Sequence, residues 1–453
     1  MTSVWFDTAL LSDGWAHSVR VSHDDGVVTA IETGVAIGPD EERGAIGVPG
    51  LGNLHSHAFQ RGMAGLAERR GRESDDFWSW RRVMYQFVDR LNPEDVEAIA
   101  ALAYAEMLES GFTRVGEFHY LHHDRDGAPY DDPAELAARI AAAAAATGMG
   151  LTLLPVFYAH SGFGGAEPRP EQRRFVNTTD AYAALVEASR GAVKDLADGV
   201  VGVAPHSLRA ATPEELALIT PLAAGGPVHI HIAEQAREVD DCVAWSGRRP
   251  VEWLLDHAEV DACWCLVHAT HLTEAEIDRL ARGSAVVGLC PITEANLGDG
   301  LFPAARFVGA GGRFGVGSDS NVLIDAAEEL RLLEYGQRLS RRARNVLASG
   351  QRPSVGGTLF CAALAGGAQA LGVGKGGIRV GAAADLVSLD AGCAAFLGRD
   401  GDALLDGWLF AARGGAVDGV WRRGRKVVAE GRHVRKVELV QAFARTLDRV
   451  LRA

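Results

Sequence analysis

The sequence predicts an α/β fold: a (β/α)8 TIM-like barrel beside a small β-sandwich domain built from both chain ends. Three observations predict it. Eight short apolar runs, rich in Val, Ile, Leu and Phe, alternate with amphipathic helical stretches over about 300 residues. Nearly every run ends in a polar or ionisable residue, where barrel active sites are built. The two ends read instead as short strands and turns, and neither holds enough strand for a stable sheet alone. At 453 residues the chain accommodates one large barrel and a smaller partner. A doubly wound sheet is the alternative that the alternation by itself leaves open.

In chain order, residues 3–48 read as short strands with turns at Asp13-Gly14 and Asp25-Gly26. The eight runs then begin at Ile46 (IGVPGLGNLHSHAF), Phe112 (FTRVGEFHY), Gly150 (GLTLLPVFYAH), Gly199 (GVVGVAPHS), Pro227 (PVHIHIAE), Cys263 (CWCLVHATH), Ser284 (SAVVGLCPITEANLG) and Arg313 (RFGVGSDSN). Asn92-Pro93 supplies an N-cap and an N1 proline for EDVEAIAALAYAEMLES, which Gly111 closes. Asp132-Pro133 is expected to do the same for AELAARIAAAAAATG, whose alanine tract suits a helix. Thr212-Pro213 opens EELALITPLAA, which Pro221 must end or kink, and Thr273 opens EAEIDRLARG. The stretch DAAEELRLLEYGQRLSRRARN follows the eighth run. IRVGAAADLVSLD and AVDGVWRRGRKVVAEGRHV read as β again, and ELVQAFARTLDRVLRA as a C-terminal helix. The expected division is 1–48 with 375–435 as a composite β-domain, 49–374 as the barrel and 436–453 as the terminal helix.

Composition narrows the function classes. Charged residues sum to a net −14, a poor balance for a nucleic-acid binder, which needs a basic face. No run of about 18 uncharged apolar residues predicts a membrane span, and MTSVWFDTALLSDGW lacks the basic and apolar regions of a secretory signal. Six cysteines without a CxxC pair read as reduced thiols of a cytoplasmic protein.

Four signals carry chemistry. His55-Ser56-His57 ends the first run, and residues i and i+2 of a strand share a face, so two imidazoles can grip one metal ion. His229-Ile230-His231 ends the fifth run, with Glu234 in the following loop; His229, one step deeper, reads as a hydrogen-bonded interior residue. His268 ends the sixth run, and Asp319 the eighth. Any one of these suits a buried polar residue; the set, on four strand ends of one barrel, does not.

These motifs, HSH, HIHIAE, VHATH and SDS, resemble the mononuclear deaminase branch of the amidohydrolase superfamily, and GGIRVGAAADLVSLD is similar to its returning β-segment. The resemblance spans nearly the whole chain. It implies that His55, His57, His231 and Asp319 bind one divalent metal, most often Zn2+, and that Glu234, His268 and Asp319 are the catalytic residues. Binuclear members carry a lysine on the fourth strand, and GVVGVAPHS has none. Bound zinc lowers the pKa of a coordinated water to about 7, and Glu234 is placed to act as general base and then general acid.

LGNLHSHAFQRGMAG and DFWSWRRVMYQFVDRLNP, with EFHYLHH and APHSLRA, are similar to the formimidoylglutamate deiminase family of histidine degradation. The implied reaction is hydrolysis of N-formimidoyl-L-glutamate to N-formyl-L-glutamate and ammonia. A small substrate with two carboxylates calls for guanidinium forks. Arg209 and Arg81 are the candidates, with Arg82 able to replace Arg81. Gln60, Tyr120 and His206 are placed to hydrogen-bond the rest of the substrate. The role of His160 is open, and His122 and His123 read as solvated loop residues. The aromatic loop from about 59 to 91 serves as a lid or as a subunit contact, and a homodimer is expected because related enzymes are commonly dimers. The alternative reading is another mononuclear deaminase, acting on a purine, pterin or triazine ring.

Overall fold

The computed structural model describes residues 2–70 and 76–452. The amino-terminal strands are β1 (Thr2–Leu11), β2 (Gly14–Asp24), β3 (Val27–Glu32) and β4 (Glu42–Pro49). The barrel strands are β5 (Leu51–Ser56), β6 (Phe112–His119), β7 (Gly150–Phe157), β8 (Val200–Val201), β9 (Ala204–Pro205), β10 (Val228–Ile232), β11 (Trp264–His268), β12 (Val286–Leu289) and β13 (Arg313–Val316). The chain ends with β14 (Leu386–Leu389), β15 (Val417–Arg422), β16 (Arg425–Ala429), β17 (Arg432–His433) and a helix, Lys436–Arg452.

The first apolar run divides between the two sheets. Its start, in β4, joins the small sheet, and its end, in β5, opens the barrel. Gly50 makes the hinge: a Cβ there would meet the Thr113 side chain at 2.2 Å. The parallel barrel sheet runs β10-β11-β12-β13-β5-β6-β7-β8, with β9 on β7. It closes through bridges from Val203 to Val228 and from Ser207 to His231. The fourth run is two short ladders on β7 rather than one strand, and single bridges from Val203 and Ser207 join it to β10.

The second sheet has the order β17-β16-β15-β14-β4-β1-β2-β3 and mixes strands of both ends. Its seam is the antiparallel β4–β14 pair, with Val48 opposite Val387. At the far edge, Val28 N–H donates to the Ala382 carbonyl at 2.8 Å, so β3 returns to the segment entering β14. The sheet thus faces itself across Val4, Phe6, Val21, Leu386 and Trp421. The turn at Asp25-Gly26 has positive φ at both residues, 45° and 76°, the geometry of a tight hairpin.

Most helix caps fall where expected. Asn92 and Thr273 form capping boxes with Asp95 and Glu276, and Gly111 ends its helix at φ 101°. The helix before Pro221 stops at Ile219 and tightens to a 3-10 turn. Asp132 is a correction: the helix starts at Glu135, and the Asp132 carboxylate instead accepts from Ala134 N at 2.8 Å in the turn before it. Residues 59–91 are also not one long loop. They hold a 3-10 helix, Ala58–Met63, and an α-helix, Phe77–Val88, capped by Asp76; residues 71–75 lie outside the described residues. Among the described residues no helix is long and apolar enough to cross a membrane.

Candidate active site

The strand ends converge because their backbones interlock. Asp319 N donates to the His55 carbonyl and His57 N to the Asp319 carbonyl, both at 2.9 Å. The Asn321 amide donates to the carbonyls of His57 and Asp319, and Ser318 is held by Asn53. Ala233, His268, Ala269, Asp319 and Asn321 all have φ between 43° and 68°. Such conformations are costly for residues with a Cβ and persist where the surroundings over-determine them. Here they turn the functional side chains across the barrel mouth. Buried Glu117 supports the turn after His57 by accepting from Ala58 N at 2.7 Å.

Three imidazoles meet at one point. The Nε2 of His55 lies 3.2 Å from that of His57 and 3.0 Å from that of His231. Asp319 Oδ1 is 3.3 Å from His57 Nε2 and 3.6 Å from His55 Nε2. His57 and His231 donate their Nδ1–H to the carbonyls of Phe118 (2.9 Å) and His206 (3.0 Å), which leaves both Nε2 lone pairs pointing inward. His55 can supply at most one proton to that cluster. Tetrahedral ligands with bonds of about 2.0–2.1 Å lie roughly 3.3 Å apart, so the donor set fits a divalent cation. Burial pushes all three imidazoles down, His57 to about 3, which keeps them neutral and able to coordinate.

Beside this cluster stand His268, Glu234 and Asp319. His268 Nε2 is 3.9 Å from Glu234 Oε1 and 3.8 Å from Asp319 Oδ2. Its Nδ1 is 3.2 Å from Glu294 Oε1. Burial opposes the charged ring, but the Glu234 charge, the Glu294 hydrogen bond and the Asp319 charge push His268 up to about 10. Burial likewise pushes Asp319 up to about 7, with His268 opposing. Glu294 is a residue the motifs did not signal. It sits in the first turn of the helix Pro291–Leu297, after β12, where an acid favours the positive helix end.

Above the histidines lies a cavity of about 570 Å³ lined by Gln60, Arg81, Tyr120, His206, Arg209, Glu234, His268 and Asp319 among others. The structure thus gathers every site residue expected from sequence, with His55 one layer deeper. Arg209 is 9% exposed, yet its guanidinium makes no hydrogen bond or ion pair among the described residues, and its Nε is an orphaned buried donor. Arg81 donates to the Tyr158 hydroxyl at 2.8 Å, which also accepts from Gln172 at 2.6 Å. Gln60 donates to the Tyr120 hydroxyl at 2.7 Å and leaves its own Oε1 buried and unpartnered. Tyr158, on the FYAH run, carries no signal in the sequence, because its role comes from Arg81, 77 residues away.

Helix Phe77–Val88 roofs the cavity with Phe77, Trp80, Arg81, Met84 and Tyr85. Arg82, on its other face, is exposed and absent from the inner lining. His160 faces away and pairs with Glu215 at 3.0 Å. His229 is buried, with Nε2 donating to the Ala370 carbonyl at 2.7 Å. His122 and His123 are corrections. His122 is 4% exposed and donates to the Val156 carbonyl; half-buried His123 donates to that of Val176. The segment around Arg174 folds over them, a tertiary contact that the loop sequence does not encode.

The profile of the Amidohydrolase family matches residues 46–427, and that of the Formimidoylglutamate deiminase HutF, N-terminal domain, matches 1–45. The chain is 52% identical to formimidoylglutamate deiminase of Pseudomonas aeruginosa over 455 aligned positions, covering 100% of both proteins. It is 30% identical to a 5-methylthioadenosine/S-adenosylhomocysteine deaminase of Natronomonas pharaonis, over 77% of this chain and 74% of that protein. A crystal structure of an amidohydrolase from Brucella melitensis superposes with a TM-score of 0.97 at 56% identity, covering 100% of both chains. An adenosine deaminase from Xanthomonas campestris with bound zinc shares the fold, with a TM-score of 0.82 at 24% identity over 100% of this chain and 99% of that one.

Proposed function

The chain belongs to the amidohydrolase family, and on that premise we propose that it hydrolyses N-formimidoyl-L-glutamate to N-formyl-L-glutamate and ammonia. The observation that carries the substrate is the unpaired, buried Arg209 guanidinium in a cavity whose floor is the three-histidine cluster. The charge of buried Glu238 reaches Arg209 only at a distance; a buried cation without a direct hydrogen-bonded partner is costly, and a substrate carboxylate supplies that partner. The full-length likeness to the Pseudomonas aeruginosa enzyme supports the same reaction.

In this reading the residues divide the work. Arg209 and Arg81 take the two carboxylates, and Tyr158 holds Arg81 in place. The free Oε1 of Gln60 accepts from a substrate N–H, and Tyr120 and His206 flank the formimidoyl group. His55, His57, His231 and Asp319 hold one divalent ion, with zinc as the assignment, since imidazole and carboxylate suit it. Such an ion supplies a Lewis acid and lowers the pKa of a coordinated water to about 7. Glu234 removes a proton from the water that attacks the formimidoyl carbon. His268 and Asp319 orient that water and stabilise charge at the adduct. With the formimidoyl group entering protonated, Glu234 then returns the proton to the terminal nitrogen, the C–N bond breaks, ammonia leaves, and the adduct hydroxyl gives up its proton to Glu234 as the formyl carbonyl forms.

The barrel segment 49–374 carries this chemistry, with the composite domain (1–48 and 375–435) and the helix 436–453 as its support. A cytoplasmic location and a homodimer belong to the same proposal. Six free cysteines support the first, and light scattering tests the second. The deciding experiment incubates zinc-loaded protein with N-formimidoyl-L-glutamate, guanine and adenosine and follows ammonia. Release from the first with formation of N-formylglutamate is expected; release only from a ring substrate would overturn the reading.

A further inference from the structure

Outside the roofed cavity a second hollow of about 1470 Å³ opens to solvent. It shares Arg81 and Arg209 with the inner cavity and adds Arg82, Arg169 and Arg237. Asp241 is the only carboxylate among its described lining residues. It stands 3.7 Å from Arg237, with both side chains more than half exposed, so the pair is weak. Arg82 and Arg169 make no ion pair among the described residues. The Trp78 indole gathers three of the guanidiniums: Arg237 lies 5.0 Å, Arg81 5.7 Å and Arg209 5.9 Å from its centroid.

Five like charges around one hollow repel one another, in a chain whose net charge is −14. Clefts of one sign focus the field and raise the encounter rate of oppositely charged ligands. We propose that Arg237, with Arg82 and Arg169 beside it, forms an outer carboxylate-capture site that draws the dianionic substrate from solution and passes it to Arg81 and Arg209. This rests on the dicarboxylate reading above. Arg237 flanks the same indole as the inner arginines, so a carboxylate moves from one guanidinium to the next without returning to bulk water. The indole face holds the three cations by cation–π attraction while no anion is present. The outer charges act on encounter and not on bond breaking, so they govern kcat/KM and leave kcat alone.

The test is steady-state ammonia release by the full-length, zinc-loaded protein and its Arg237→Glu and Asp241→Asn variants, at low and high ionic strength. For Arg237→Glu, kcat/KM is expected to fall about tenfold at roughly 0.01 M salt, with kcat within about twofold of wild type. The gap should close near about 0.5 M salt, where the Debye length is only roughly 4 Å. Asp241→Asn should raise kcat/KM at low salt, because it removes the one competing carboxylate; a purely structural pair would instead cost both variants stability alike. Wild-type kcat/KM in Arg237→Glu at low salt, or a loss that salt does not erase, would overturn the capture site and leave the reaction standing. No ammonia from wild type would overturn the reaction itself, and this inference with it.

Discussion

Replacing Arg209 by alanine separates a substrate clamp from a structural cation. The guanidinium has five N–H donors and spends none of them on a described protein partner. A carboxylate held about 4 Å away at an effective dielectric of about 20 gains roughly 4 kcal/mol. Truncating one side of a buried, hydrogen-bonded charge pair costs about 2–5 kcal/mol. A central value of about 3 kcal/mol corresponds to roughly a hundredfold loss in kcat/KM. Arg209→Lys keeps the charge but not the fork, and should recover only part of that loss. The thermal midpoint should behave oppositely. With no hydrogen bond or ion pair among the described residues to lose, and only the Trp78 face and the charge of buried Glu238 near it, Arg209→Ala should change the melting temperature little. Ammonia release and differential scanning calorimetry read the two effects. Activity within threefold of wild type would refute the clamp. A large drop in melting temperature would show that Arg209 holds the fold together instead.

Three other outcomes follow from the same structure. Tyr158→Phe removes the hydroxyl that accepts from both Arg81 and Gln172, so KM should rise about tenfold, the equivalent of one hydrogen bond to a charged group; an unchanged KM would mean that Arg81 needs no anchor. Asp198 sits between Arg114 (2.6 Å) and Arg422 where barrel meets β-domain, so Asp198→Asn should cost about 3 kcal/mol in urea unfolding. Burial pushes the Asp198 carboxyl up, but Arg114 and Arg422 outweigh it and hold it below its ordinary 3.8. Its stabilisation is therefore complete above that value and lost as the pH falls through the folded pKa, where the unfolding curves of wild type and variant should converge; a constant gap down to pH 2 would contradict the pairing. Chelation should abolish ammonia release and lower the melting temperature, since the clustered imidazoles lose the ion that offsets their burial; an unshifted melting temperature would argue against a metal bound by these residues.

Much of the fold was legible because it depends on local signals. Asn92-Pro93, Thr212-Pro213 and Thr273 started helices as expected, since a cap and its first turn interact over a few residues. Asp132 failed because a turn with the same polar residue and proline competes for those bonds. His55 and His57 were found through strand periodicity, and His231, His268 and Asp319 through their places at the ends of apolar runs. Glu294 and Tyr158 were missed for one reason. Each acts through a partner distant in sequence, His268 for one and Arg81 for the other, and no spacing rule links them.

The sequence by itself determined the strand and helix alternation, the set of ionisable residues at the strand ends, and the likeness to the deiminases, since these are properties of residue type and order. Only the tertiary structure decided how the barrel closes through Val203 and Val228, that Arg81 and not Arg82 enters the cavity, that His122 and His123 are covered, and that Arg209 stands unpaired. Those facts depend on which surfaces meet after folding. Charge, burial and partnership belong to such meetings, and they are what convert a group of histidines and arginines into a site.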